Sequence, residues 1–320
     1  MNLLDVLYFI VPPALFYAAP LIFGAIGGIF SERSGVVNIG IEGIMVMGAF
    51  VGIVFNLFTA DALGGFTPWV SLVAAMVVGA IFSLFLAVAA ISFRADQTVT
   101  GVALNLLGIA IALFSVKMIF EGKGQTDFIK ERFALFDIPL LSDIPFIGPM
   151  FFSDLYGTSI LAIAVAFLAW FVVYKTPFGL RLRSVGEHPM AADTMGINVT
   201  KMRYIAVMIS GAFAGIGGAI YAQTITGDFG HATINGQGFM AIAAMIFGKW
   251  HPIGAMGAAL FFGLAQALAV AGGSIPYVKE VPPVFLTILP YVLTILALAG
   301  FIGKATAPKA SGIPYIKGKR

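Results

Sequence analysis

Arg181-Leu-Arg-Ser-Val-Gly-Glu-His-Pro-Met-Ala-Ala-Asp-Thr-Met-Gly-Ile-Asn-Val-Thr-Lys-Met-Arg203 is a polar island, basic at both ends, between two long apolar runs. The chain around it is nearly all oil: 60% of its 320 residues are hydrophobic and only 10% are charged, with a mean hydropathy of +1.00. No soluble domain can cover that much apolar surface, so the composition specifies a polytopic membrane protein. Its apolar runs are of the length that crosses a bilayer as helix, so the expected fold is an all-α transmembrane helix bundle. The 38 glycines fit close helix approach, and the 30 phenylalanines fit lipid-facing bulk.

A span needs about 20 predominantly apolar residues. That length predicts spans at 8–30, 38–58, 68–92, 98–119, 155–174, 204–224, 234–249, 253–272 and 284–303, about nine, within a range of eight to ten. The seventh is short and carries glycine, as a broken or re-entrant span would. The first has no basic leader and no small-residue cleavage site, so it reads as a retained span.

Lys and Arg set the orientation. With the island inside, that side collects Arg33, Arg94, Lys175, Arg181, Arg183, Lys201, Arg203, Lys249, Lys304, Lys309, Lys317, Lys319 and Arg320. The other side receives Lys117, Lys123, Lys130, Arg132 and Lys279. This asymmetry places the N-terminus outside and the C-terminus in the cytoplasm. It divides the chain into one transmembrane domain, 1–303, with a cytoplasmic loop at 175–203 and an external loop at 120–153, followed by a basic cytoplasmic tail, 304–320. The external loop reads either as a surface cap or as a landing place for a soluble partner.

The island itself carries a short helix. Pro189 suits a first helical turn, because its missing N–H would be unpaired there. Met190, Ala191, Ala192, Asp193, Thr194 and Met195 follow, and Gly196 can take a left-handed stop. Glu187 and His188 precede the helix, where the Glu187 charge favours its positive end. Asn198 or Thr200 can cap the next span. About two turns are too few to stand alone, so this helix needs its own bundle or another protein to lie against.

Other chemistry is sparse. With no cysteine there is no disulfide, thiolate metal site or thiol nucleophile. A net charge of +3, carried in loops and tail, gives no support for nucleic-acid binding. Gly300-Phe-Ile-Gly-Lys304 is too short for a phosphate loop. His188, His231 and His251 lack metal-ligand spacing. No catalytic residue, metal site or bound cofactor is expected.

The island together with Ser210-Gly-Ala-Phe-Ala-Gly-Ile-Gly-Gly-Ala-Ile220 resembles the permease subunits of ATP-binding-cassette importers, in the branch of ribose, branched-chain amino acid and nucleoside permeases. Ser31-Glu-Arg-Ser-Gly-Val-Val-Asn-Ile-Gly-Ile-Glu-Gly43 and Gly238-Phe-Met-Ala-Ile-Ala-Ala-Met-Ile-Phe-Gly-Lys-Trp250 are similar to the nucleoside sub-branch. The resemblance implies alternating access in the bacterial plasma membrane, with nucleosides as the favoured cargo and simple sugars or amino acids as alternatives. It implies a cytoplasmic ATPase that uses ATP and Mg and grips residues 187–197. A second, different permease subunit and an external substrate-binding lipoprotein would complete the assembly. An ion-coupled carrier working alone is the competing class.

Buried ionisable and amide groups are the candidates for the path, because a charge at mid-bilayer costs about 2.5–3.5 kcal/mol. Asn38 and Glu42 are four apart and would share one helix face, loosened by Gly35, Gly40 and Gly43. Gln97, Thr98 and Asn105 form a second set, with Asp96 as their helix cap. Each also has a plain helix–helix reading. Glu32 and Arg33 read as an ion pair with one another, or as partners of lipid headgroups at the cytoplasmic edge.

Overall fold

The computed structural model describes residues 3–139, 141–271, 281, 285, 288, 292 and 306–318. Twelve α-helices are described: α1 (Leu3–Arg33), α2 (Ile41–Leu63), α3 (Thr67–Phe82), α4 (Leu84–Ala87), α5 (Gln97–Ile119), α6 (Gly148–Phe151), α7 (Gly157–Lys175), α8 (Pro177–Glu187), α9 (Pro189–Thr194), α10 (Val199–Tyr221), α11 (Gln237–Phe247) and α12 (Pro252–Ala271). A two-residue antiparallel pair, β1 (Leu135–Phe136) with β2 (Leu155–Tyr156), closes part of the 120–153 loop.

Among the described residues, six helical stretches are long and apolar enough to cross a membrane: Asp5–Arg33, Ile41–Ser92, Gln97–Ile119, Gly157–Lys175, Val199–Thr226 and Pro252–Ala271. The expected nine differ for three reasons. Ile41–Ser92 runs two expected spans together, α2 and α3, which are joined by a short 3-10 turn and pack on one another. Gln237–Phe247 has only 11 residues, about 16 Å of helix, roughly half of a hydrocarbon core. The expected span at 284–303 lies almost wholly outside the described residues.

The centre of the bundle is Val199–Thr226, whose apolar window is 67% buried. Its small residues let neighbours come to backbone distance. A side chain on Gly211 or Gly215 would run into the backbone of α3 at Gly79 and Ala75, and one on Gly218 would meet the Met45 carbonyl of α2. The Gly211–Gly218 stretch is therefore a packing face. α1 packs on α10 from another side and also carries α7, α11 and α12.

One end of the bundle carries α8, α9 and the segment 306–318. At the end of the long central helix, about 40 Å away by helix rise, lies the turn 227–236. There Thr126 N–H donates to the Phe229 carbonyl and Ile129 N–H to the Gly227 carbonyl, both at 2.9 Å, so the 120–153 loop is tied to that turn.

The island holds two helices where the sequence suggested one. Thr176 caps α8 by accepting the Gly179 N–H at 3.2 Å, and Pro177 follows in the first turn. α8 buries Leu182 and Val185 while Arg181 stays exposed. The Thr-Pro start was readable, but the basic residues behind it looked like a loop.

Candidate functional site

Between α1 and α2 the chain leaves the helix. Residues 34–40 cross a buried part of the bundle outside any helix; the N–H groups of Ser34, Gly35 and Val36 turn back to α1 carbonyls, and Gly35 is left-handed at φ +90°. Backbone groups away from water must find partners. The path candidates supply them. Gln97 Oε1 accepts the Val37 N–H at 2.7 Å. Asn105 accepts the Gly43 N–H at 2.8 Å through Oδ1 and donates Nδ2 to the Ile39 carbonyl at 3.0 Å. Asn38 Nδ2 donates to Ser210 Oγ on α10 at 2.9 Å.

Glu42 works in the other direction. Its two carboxylate oxygens accept the backbone N–H groups of Gly236 and Gly238 at 2.5 Å each. Those are unpaired donors at the positive end of α11, so the charge is placed where a helix favours it. Gly236 is left-handed at φ +94°, and a side chain on Gly238 would strike the backbone of Glu42. One carboxylate thus fastens the start of α2 to the start of the short helix.

Four of the five path candidates are therefore gathered around residues 37–43. Thr98 is exposed at the start of α5, away from this cluster. Asp96 Oδ1 caps α5 by accepting the Val99 N–H at 2.9 Å. Two buried polar atoms in the cluster have no hydrogen-bond partner among the described residues, Asn38 Oδ1 and Gln97 Nε2.

Two expectations are corrected here. Asn38 and Glu42 do not share a helix face, because α2 begins at Ile41 and Asn38 belongs to the non-helical crossing. Gly40 ends the irregular backbone between them. Glu32 and Arg33 do not pair with one another; both hold Trp250. Glu32 Oε2 accepts Trp250 Nε1–H at 2.6 Å, while Arg33 Nε donates to the Trp250 carbonyl at 3.1 Å. Arg33 also donates to the Tyr174 hydroxyl at 3.0 Å. Consecutive helix residues point about 100° apart, which sends the two charges to different faces.

The second site is the bundle end that carries α9. Pro189 occupies its first turn, and Gly196 is left-handed at φ +82° with open space around it. Asn198 Oδ1 caps α10 by accepting the Lys201 N–H at 2.9 Å. Ala192 is buried against Val185 and Val199, anchoring the helix to its own bundle. Glu187, Pro189, Met190 and Asp193 are half-buried, whereas His188, Ala191, Thr194, Met195 and Gly196 are exposed. Met195 leaves 82% of its surface uncovered. An open groove of about 600 Å³ runs beside the helix, lined by Asp193, Ile197, Lys201, Tyr315 and Lys317 among others. Burial, together with the nearby Asp193 carboxylate, pushes the Tyr315 hydroxyl above its ordinary value.

Sequence reasoning missed a further buried polar cluster. Gln223 Oε1 accepts hydrogen bonds from Asn56 Nδ2 at 3.1 Å and Ser71 Oγ at 3.0 Å, tying together the central helix, α2 and α3. Asn56 also donates to the Glu131 carbonyl at 2.8 Å. Single polar residues in long apolar runs were the available signal. Their spacing names no partner.

Over residues 13–298 the chain matches the family described as branched-chain amino acid transport system, permease component. It is 64% identical, over the full length of both chains, to the guanosine ABC transporter permease protein NupQ of Bacillus subtilis. It is 54% identical to the nucleoside ABC transporter permease protein NupC of Lactococcus lactis, again over both full lengths. A more distant relative is the guanosine ABC transporter permease protein NupP of Bacillus subtilis, 24% identical over 88% of this chain and 79% of that one. This chain is a multi-pass protein of the bacterial plasma membrane and belongs to the family of branched-chain amino acid transport system permease components.

Proposed function

We propose that this chain is a transmembrane permease subunit of an ATP-driven nucleoside importer that works by alternating access. The observation that carries the mechanism is α9: a six-residue helix at one end of the bundle, with Met195 82% exposed beside it. Ala192 anchors this helix to its own bundle, and the exposed Ala191, Thr194 and Met195 leave a face for a groove in a partner. Seating Met195 in such a groove would contribute about 1.5–3 kcal/mol.

In this reading residues 187–197 face the cytoplasm and are held by a separate ATPase, which binds and hydrolyses ATP with Mg. The transmembrane domain, residues 1–303, has about nine spans, with the N-terminus outside and the basic tail, 304–320, inside. The full-length likeness to guanosine and nucleoside permeases favours nucleoside over sugar or amino acid. Bacillus subtilis has both NupQ and NupP, each described as a guanosine permease, which favours a second, different permease subunit here. An external substrate-binding lipoprotein would present cargo at the end formed by residues 120–153 and 227–236. The path itself would hold cargo weakly, around Asn38 Oδ1 and Gln97 Nε2.

The ion-coupled carrier is disfavoured by Glu42 and Glu32. Both carboxylates are engaged, one by two backbone N–H groups and the other by Trp250. The test is purification in mild detergent followed by reconstitution. An ATPase and a second permease should co-purify, and guanosine uptake should require ATP. Uptake by this chain alone, driven by an ion gradient, would refute the proposal.

A further inference from the structure

Arg203 is 1% exposed, among the largest fully buried side chains of the described residues. Its guanidinium is held by carbonyls: Nε donates to Ser34 O at 3.2 Å and Nη1 to Ile313 O at 3.1 Å. Nη2 has no hydrogen-bond partner among the described residues. A buried cation is costly unless its donors are met, so a cation spent on two main-chain carbonyls needs a reason. Those carbonyls belong to segments far apart in sequence. Ser34 opens the non-helical crossing between α1 and α2, and Ile313 lies in the C-terminal segment.

The C-terminal segment is itself bolted to the island. Ala310 N–H donates to the Gly186 carbonyl of α8 at 2.8 Å. Tyr315 packs on the apolar cluster of Val185, Ala192 and Val199, and lines the groove beside Asp193. Gly35 makes room for the joint, because a side chain there would sit 2.7 Å from Arg203 Nη2 and 3.1 Å from the Ala310 carbonyl. The tail thus touches α8, the α9 cluster and Arg203, and Arg203 touches the crossing that Asn38, Gln97 and Asn105 fasten to the rest of the bundle.

We infer that Arg203 and residues 306–318 form a pin that carries displacement of the α8–α9 pair to the α1–α2 crossing. Arg203 is a positioning residue in this scheme. It rests on the ATPase-driven reading above. Hydrogen bonds near 3 Å fail within a fraction of an ångström of stretch, so three such attachments move together or break. A planar guanidinium can hold two carbonyls at once in fixed directions, which an ammonium on a flexible stem does poorly.

The experiment is ATP consumed per guanosine delivered by the complete reconstituted transporter. Arg203→Lys should leave the ATPase bound and hydrolysing while uptake falls about tenfold, the effect of losing one hydrogen bond to a charged group; Tyr315→Ala, which takes the ring off the Val185, Ala192 and Val199 cluster, should lower uptake in the same way. ATP per guanosine should rise by the same factor. A defect of folding alone would lower the amount of complex and leave that ratio unchanged. The chain has no cysteine, so a Lys201→Cys, Tyr315→Cys double variant, at two positions that line one groove outside residues 187–197, can be bridged with a short bismaleimide. Bridging should restore the ratio that the unbridged variant loses. An unchanged ratio in Arg203→Lys and Tyr315→Ala overturns the pin. So does loss of the ATPase from Tyr315→Ala, since the tail would then be part of the docking surface, and so does arrest of uptake by the bridge. Absence of the ATPase from the unsubstituted complex would instead overturn the transport reading.

Discussion

Glu42 Oε2 accepts the backbone N–H of Gly238 at 2.5 Å, across 196 positions of sequence. The neighbouring oxygen takes Gly236 N–H, so both lobes of the carboxylate close the start of α11. Glu42→Gln replaces one acceptor with a donor aimed at an N–H and removes the charge that suits a helix start. A loss of about 1.5–3 kcal/mol is expected, read as a lower melting temperature of the detergent-solubilised complex. Glu42→Ala should cost at least as much. If Glu42→Gln melts with the unsubstituted protein, the carboxylate is not a fastener.

Asn105→Leu strands the Gly43 N–H and the Ile39 carbonyl in the bundle. Two unmet backbone groups predict a loss of about 2–5 kcal/mol. Uptake should fall through reduced folded transporter, with the preference among nucleosides unchanged. Asn105→Asp keeps the acceptor but not the donor and should lie between. Altered cargo preference in surviving Asn105→Leu protein would place this side chain in the path.

Met195→Asp puts a charge where an apolar groove is expected. The side chain is uncovered in this chain alone, so thermal stability of the isolated permease should hardly change. Affinity for the ATPase should drop by about tenfold or more, the worth of one buried methionine. Pull-down of the ATPase from mixed, purified subunits measures it. Undiminished binding would remove Met195 from the interface.

Burial first, and then the charge of Arg33, hold the His251 imidazole below its ordinary value. Its ring also packs on Tyr174, with centroids 4.9 Å apart. A base with a depressed folded-state value is protonated more readily in the unfolded chain. Its contribution is therefore complete above about pH 6.5 and is lost as pH falls below that. Melting temperature should decline as the solution is acidified through this range, and His251→Gln should flatten the decline. Identical slopes for the two proteins would contradict the assignment.

The helix starts and stops were largely legible. Asp96, Asn198, Pro189 and Gly196 do what their side chains favour locally, because capping and left-handed turns are settled within four residues. The Gly211–Gly218 face was legible for a similar reason: small residues at helical spacing admit a neighbour, whatever that neighbour is. The path candidates were legible as polar residues in apolar runs, but not as what they are bonded to. Asn38 and Glu42 looked like one face only because periodicity was extended through a break that Gly40 interrupts. Arg203 looked like one more basic flank of the island.

By itself the sequence determined that this protein lies in a membrane as helices, where most of those helices begin, and that a short helix stands in the polar island. Those features follow from hydropathy, length and local hydrogen bonding. Only the tertiary structure decided that Glu42 closes α11, that Asn105 stitches a non-helical crossing, that Trp250 comes between Glu32 and Arg33, and that Arg203 joins Ser34 to Ile313. In a dry interior a buried polar group left without a partner is costly, so most of them find one. Which partner it finds depends on how helices that are distant in sequence pack together, and no spacing along the chain carries that information.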